Sequence, residues 1–103
     1  MNLFETLGQA LKPETIILEF KVVAVSENTN SFGLKQMIMV GRKGEAYKGC
    51  FNYLNVKKQG EIIHGIVTLN DDAEIKCIEF TGGELVQRIE DAPEDVLKEV
   101  WKN

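Results

Sequence analysis

From Thr15 the apolar positions recur at every second residue, with Ile16, Leu18, Phe20, Val22 and Ala24 alternating with Ile17, Glu19, Lys21 and Val23. A period of two predicts a strand with one buried face. Before it, Leu3, Phe4, Leu7 and Leu11 fall at helical spacing, and Pro13 ends that pattern by removing a donor and disfavouring helix at Lys12. A short docking helix is expected over residues 1–12. Turn formers fill Ser26 to Ser31, after which Phe32 to Val40 reads as a second strand. The tight connection Gly41-Arg42-Lys43-Gly44 leads back into a third strand, Glu45 to Tyr53, completing a hairpin.

An irregular joint, Leu54 to Gln59, precedes a fourth strand from Glu61 to Leu69. Asn70-Asp71-Asp72 then turns the chain into a fifth strand from Ala73 to Phe80, and Thr81-Gly82-Gly83 leads to a short sixth from Leu85 to Ile89. Asp91 reads as the N-cap of a closing helix over residues 92–102, with Pro93, Glu94 and Asp95 in its first turn and Lys98 and Lys102 near its other end.

Alternation also assigns sides. On the second strand it predicts Leu34, Ile38 and Val40 inside and Lys35, Met37 and Met39 outside. On the third, Tyr47, Phe51 and Tyr53 share a face opposite Lys48, and a lysine does not point cheaply into a core. The aromatic face is therefore expected inside, with the tyrosine hydroxyls reaching the rim. Methionine is over-used at binding surfaces and also serves beneath covering elements. An outward Met37 and Met39, with the helical stripe Val96, Leu97, Val100 and Trp101, predicts either a covering helix or an apolar contact with a partner protein or a second copy. A homodimer is the expectation from Met37, Met39, Val96, Val100 and Trp101.

The segment Asn55 to Val67 carries a polar and basic lead-in, a Gly60-Glu61 turn, the β-branched pair Ile62-Ile63 and a glycine within the strand, Gly65. It resembles the entry to the fourth strand in domains of the OB-fold type, and the resemblance covers about residues 15 to 80 at the level of fold. It implies a mainly β (α+β) chain: a small five- to six-stranded antiparallel barrel, OB-like or SH3-like, flanked by N- and C-terminal helices. The usual helix between strands three and four is reduced to one turn at most, and a sixth strand and a terminal helix are added. In OB domains strands two and three carry the ligand face.

Length and composition fit one domain over residues 1–103, with the barrel at 15–90: apolar residues form 44% of the chain and charged residues 27%. The longest apolar runs, such as Met37 to Val40, are far short of the roughly 20 residues of a membrane span. The start has no basic stretch ahead of an apolar one, so a cytoplasmic protein is expected. Cys50 and Cys77 lack C-x-x-C spacing and are expected free and mostly buried, and His64 reads as a packing residue. No nucleophile motif, phosphate loop or calcium loop occurs, so no catalytic activity, cofactor or metal is expected.

Charge is where the sequence speaks about function. Lys35, Arg42, Lys43, Lys48, Lys57 and Lys58 lie within a short window opposed only by Glu45, a local balance of +5 in a chain of net charge −4. The rest of the chain is strongly acidic. Because that window coincides with the expected ligand strands and holds Tyr53, it predicts a groove for single-stranded nucleic acid built by Lys35, Arg42, Lys43, Lys48, Tyr53, Lys57 and Lys58. A protein-interaction module and capture of a small anionic ligand such as a nucleotide are the alternatives.

Overall fold

The computed structural model describes residues 14–102. The expected N-terminal helix lies outside the described residues. Six strands form one antiparallel sheet: β1 (Glu14–Val25), β2 (Lys35–Gly41), β3 (Ala46–Phe51), β4 (Ile62–Leu69), β5 (Ile75–Phe80) and β6 (Gly83–Ile89). A single short helix, α1 (Glu94–Val100), follows.

The spatial order is β5-β4-β1-β2-β3-β6. Its central four strands, β4-β1-β2-β3, are a Greek key: three hairpin-connected strands, with the fourth returning to lie beside the first. The sheet curls until β5 and β6 approach each other without pairing, which makes a nearly closed barrel consistent with a small OB-like fold. Its interior holds Phe20, Val22, Met37, Met39, Tyr47, Phe51, Ile63 and Phe80. Phe20, Tyr47, Phe51 and Phe80 meet edge to face around Phe80 and Phe20, at centroid separations of 5.2 to 6.5 Å. Gly65 gives these rings room, since a Cβ there would sit 2.9 Å from both Phe20 and Ile78.

The sidedness of β2 is the reverse of the sequence expectation. Met37 and Met39 are fully buried, at 0% exposure, and cannot form a surface contact. The reversal follows from the β1–β2 register, which sets Met39 opposite the inward Val22. A β-bulge then leaves Val23 unopposed between Val22↔Met39 and Ala24↔Ile38, so Val25 rather than Ala24 turns inward opposite Met37. The outer face is apolar too. Val40 points outward yet is buried, because Trp101 covers this side and donates its indole N–H to the Val40 carbonyl at 3.2 Å. This cover comes from the residue that follows the helix and lies over Val40, not over the outward Met37 and Met39 that the sequence expectation had it cover. The cap of α1 differs from expectation: Pro93 is the N-cap residue, and Asp91 instead accepts a 2.6 Å ion pair from Arg88. That pairing raises the Arg88 guanidinium above its ordinary pKa.

Strand ends also shift. Phe32 and Tyr53, expected within strands two and three, both fall in connections. Cys50 is buried as expected, whereas Cys77 is exposed, and His64 faces outward from β4 instead of packing inside.

Candidate functional site

The barrel has two ends of different character. β1, β3 and β5 run toward one end, where the β1–β2 connection, the 52–61 connection and the β5–β6 turn gather. The β2–β3 turn, the β4–β5 turn and α1 gather at the other. Asp71, Asp72, Glu74, Glu90, Asp91 and Glu94 lie at this helix end.

The first end displays two aromatic rings. Asn30 accepts the backbone N–H groups of Phe32 and Leu34 on its Oδ1, at 2.9 and 3.0 Å, and its own N–H is bound by the Leu34 carbonyl. This Asx turn needs a left-handed residue at its close, which Gly33 supplies at φ 78°. Phe32 is held on its outside, 81% exposed. In the second connection, Asn52 Oδ1 accepts from the N–H groups of Leu54 and Asn55 and from the Asn55 amide. Tyr53 stands on that turn at 85% exposure and Leu54 beside it at 75%. Continuing the register past Lys35↔Phe51, the two connections leave the sheet side by side.

The same end carries lysines on an anchored backbone. The Lys57 N–H donates to the Met37 sulfur at 3.2 Å, and Val22 exchanges backbone bonds with Gly60 and Glu61. Between those anchors Lys57 and Lys58 are exposed, and Lys35 opens β2 at the rim. Glu27, Glu61 and Glu84 stand at this end as well, so its cations are interspersed with carboxylates.

The sequence-predicted basic set is therefore divided. Lys35, Tyr53, Lys57 and Lys58 come together at the aromatic end. Arg42 and Lys43 occupy the β2–β3 turn, roughly 20 Å away along β2 at the rise of an extended strand. Arg42 is engaged there, bound to Glu19 at 3.1 Å and stacked 4.2 Å from the Trp101 ring centroid. Lys48, half-buried at mid-strand on the outer face beside Ile38 and Gln87, belongs to neither end. Of the predicted contact residues, Val96 is exposed, while Val100 and Trp101 are half-buried where α1 returns to the barrel. Phe32 and Leu54 were missed as site residues; the Asn30-x-x-Gly33 spacing is the signal for the first, since it favours a turn over a strand.

A cavity of about 460 Å³ opens near the helix end between Ile16, Leu18, Leu69 and Ile75, with Arg42 and Glu19 at its edge. Among the described residues no group of three or more His, Cys, Asp or Glu is arranged to hold a metal ion, and no helix is long and apolar enough to cross a membrane. No family model, curated protein or solved structure matches this chain.

Proposed function

We propose that the protein is a non-catalytic binding module for single-stranded nucleic acid, acting at the end of the barrel that bears Phe32 and Tyr53. The observation that supports this most is the display of two largely bare aromatic rings on hydrogen-bonded Asx turns, flanked by Lys35, Lys57 and Lys58. Exposed rings offer every base a stacking surface, and lysines neutralise the backbone between stacked bases. Arg42, Lys43 and Lys48, included on charge alone, drop out of this reading because they stand elsewhere on the molecule.

Titrating a short oligodeoxythymidylate at several salt concentrations tests it. Affinity falls with salt at a log-log slope of about −0.7 per phosphate neutralised, and replacing Lys57 and Lys58 together with glutamine flattens the slope by about 1.4. Replacing Lys43 leaves it unchanged. Absence of binding by folded protein at low salt rejects the reading.

A protein-interaction role, including self-association, is supported by a different surface. Ile17, 68% exposed, pairs across the β1–β4 ladder with the exposed Ile66, and Ile62 lies further along the same outer face. With Met37 and Met39 inside, this isoleucine row replaces them as the apolar contact. Ile17→Lys then reduces any concentration-dependent mass measured by light scattering, while oligonucleotide binding is retained.

A further inference from the structure

Beside the aromatic end, the outer face of the barrel holds a cleft of about 300 Å³ lined by Asn55, Lys57, Ile62, Ile63, His64 and Thr81. Three parts of the chain build it. Lys57 and Asn55 come from the anchored 52–61 connection, His64 from β4, and Thr81 from the β5–β6 turn. The β4–β5 register ends at Gly65↔Phe80, so the next residues, His64 and Thr81, are set opposite one another. Asn55 packs tightly against Gly82, where a Cβ has no room.

The donor chemistry is one-sided. Lys57 brings an ammonium, His64 an imidazole N–H, Thr81 a hydroxyl, and Asn55 an amide nitrogen with one hydrogen already given to Asn52 Oδ1 at 3.0 Å and one left over. Among the described residues no acidic side chain lines this cleft. Carboxylates occupy neighbouring positions: Glu61 precedes Ile62, Glu79 pairs with Ile66 across β4 and β5, and Glu19 pairs with His64 across β1 and β4. The Glu19 Oε1 is held by Arg42 at 3.1 Å, which offsets its repulsion of an anion. A lysine, an imidazole, a hydroxyl and an amide converging without a carboxylate form a receptor for a tetrahedral oxyanion with several acceptor oxygens.

We propose that this cleft holds a phosphate group of a nucleic-acid strand whose bases stack on Tyr53 and Phe32. The assignment rests on the nucleic-acid reading above and adds to it a fixed phosphate position. Tyr53 and Lys57 belong to one short connection, so a phosphate in the cleft sets the register of the strand relative to the rings, the role phosphate contacts have in such interfaces. The phosphate comes either from the interior of the strand, as a diester, or from its end, as a monoester.

Amide NMR during titration with inorganic phosphate, at ionic strength held constant with chloride, tests the cleft itself. The expected result is a saturable shift confined to Asn55, His64, Thr81 and their neighbours. Lys57→Gln weakens it about tenfold, the scale set by one hydrogen bond to a charged group. Thr81→Val, which leaves every charge in place, weakens it less. Short oligodeoxythymidylates with and without a 5′-phosphate then identify the source. Tighter binding of the phosphorylated strand, abolished by Lys57→Gln, assigns the terminal monoester; equal binding, with the same cleft amides shifted, assigns an internal diester. Oligonucleotide binding that moves Tyr53 and Phe32 but not the cleft amides overturns the phosphate assignment and leaves the nucleic-acid reading standing. Phosphate binding without any oligonucleotide binding overturns both.

Discussion

Two turns in this molecule share one hydrogen-bond scaffold and carry opposite chemistry. At Asn30, the side-chain oxygen accepts from the residues two and four positions on, and the backbone closes with Asn30 N–H to Leu34 O and Gly33 N–H to Asn30 O. At Asn70 the same four bonds recur with Asp72, Glu74 and Ala73, and the left-handed position is Ala73 at φ 61° where the first turn has Gly33 at φ 78°. The first scaffold lifts Phe32 into solvent at one end of the barrel. The second displays Asp71 and Asp72 at the other. Identical local geometry thus says nothing about what a turn does, and the side chains it presents decide which end can approach a polyanion.

The sharpest division to test is between an inward and an outward aromatic two positions apart. Phe51→Ala empties the core and lowers stability by about 3–5 kcal/mol in a denaturant melt. Tyr53→Ala leaves the melt unchanged and weakens oligonucleotide binding by up to about 3 kcal/mol. Equal stability losses for the two would mean that Tyr53 packs on the barrel, and the comparison of ends would collapse.

The paired asparagines separate scaffold from payload. Asn30→Ala and Asn70→Ala each remove two side-chain bonds to backbone and lower stability by about 1–2 kcal/mol. Only Asn30→Ala also weakens oligonucleotide binding, because only that turn holds a stacking ring. A smaller effect follows from the left-handed positions. Ala73→Gly relieves the steric cost of positive φ and raises stability by up to about 1 kcal/mol, whereas Gly33→Ala lowers it by a similar amount. Thermal melts of the two single variants measure both signs.

Much of the fold was legible because β4 alternates cleanly and β1 does so up to its bulge at Val23, each with one apolar and one mixed face. β2 was not, since Met37-Ile38-Met39-Val40 is apolar on both sides and period two is then silent about which faces inward. The bulge at Val23 that shifts the register, and Trp101 covering Val40 from the far end of the chain, are tertiary facts with no local signature. The candidate site was half legible. Lysine clustering along the sequence identified Lys35, Lys57 and Lys58, but sequence proximity also gathered Arg42 and Lys43, which a hairpin carries to the opposite end. The cleft joins residues from three separate stretches, and only the β4–β5 pairing brings Thr81 to His64.

The seat of Trp101 has a practical consequence for optical work. It is the single tryptophan of the chain, held at the helix end with its N–H on Val40 and with Lys21 and Arg42 at 4.7 and 4.2 Å from its ring. Emission from that indole reports whether α1 is seated on the β2 face, and a red shift marks its release into water. The surface proposed to bind oligonucleotide, around Phe32 and Tyr53, lies at the other end of the barrel. A ligand titration followed by quenching of the exposed Tyr53, over a background from the buried Tyr47, therefore carries its own reference signal in the tryptophan, which reads whether the barrel is intact.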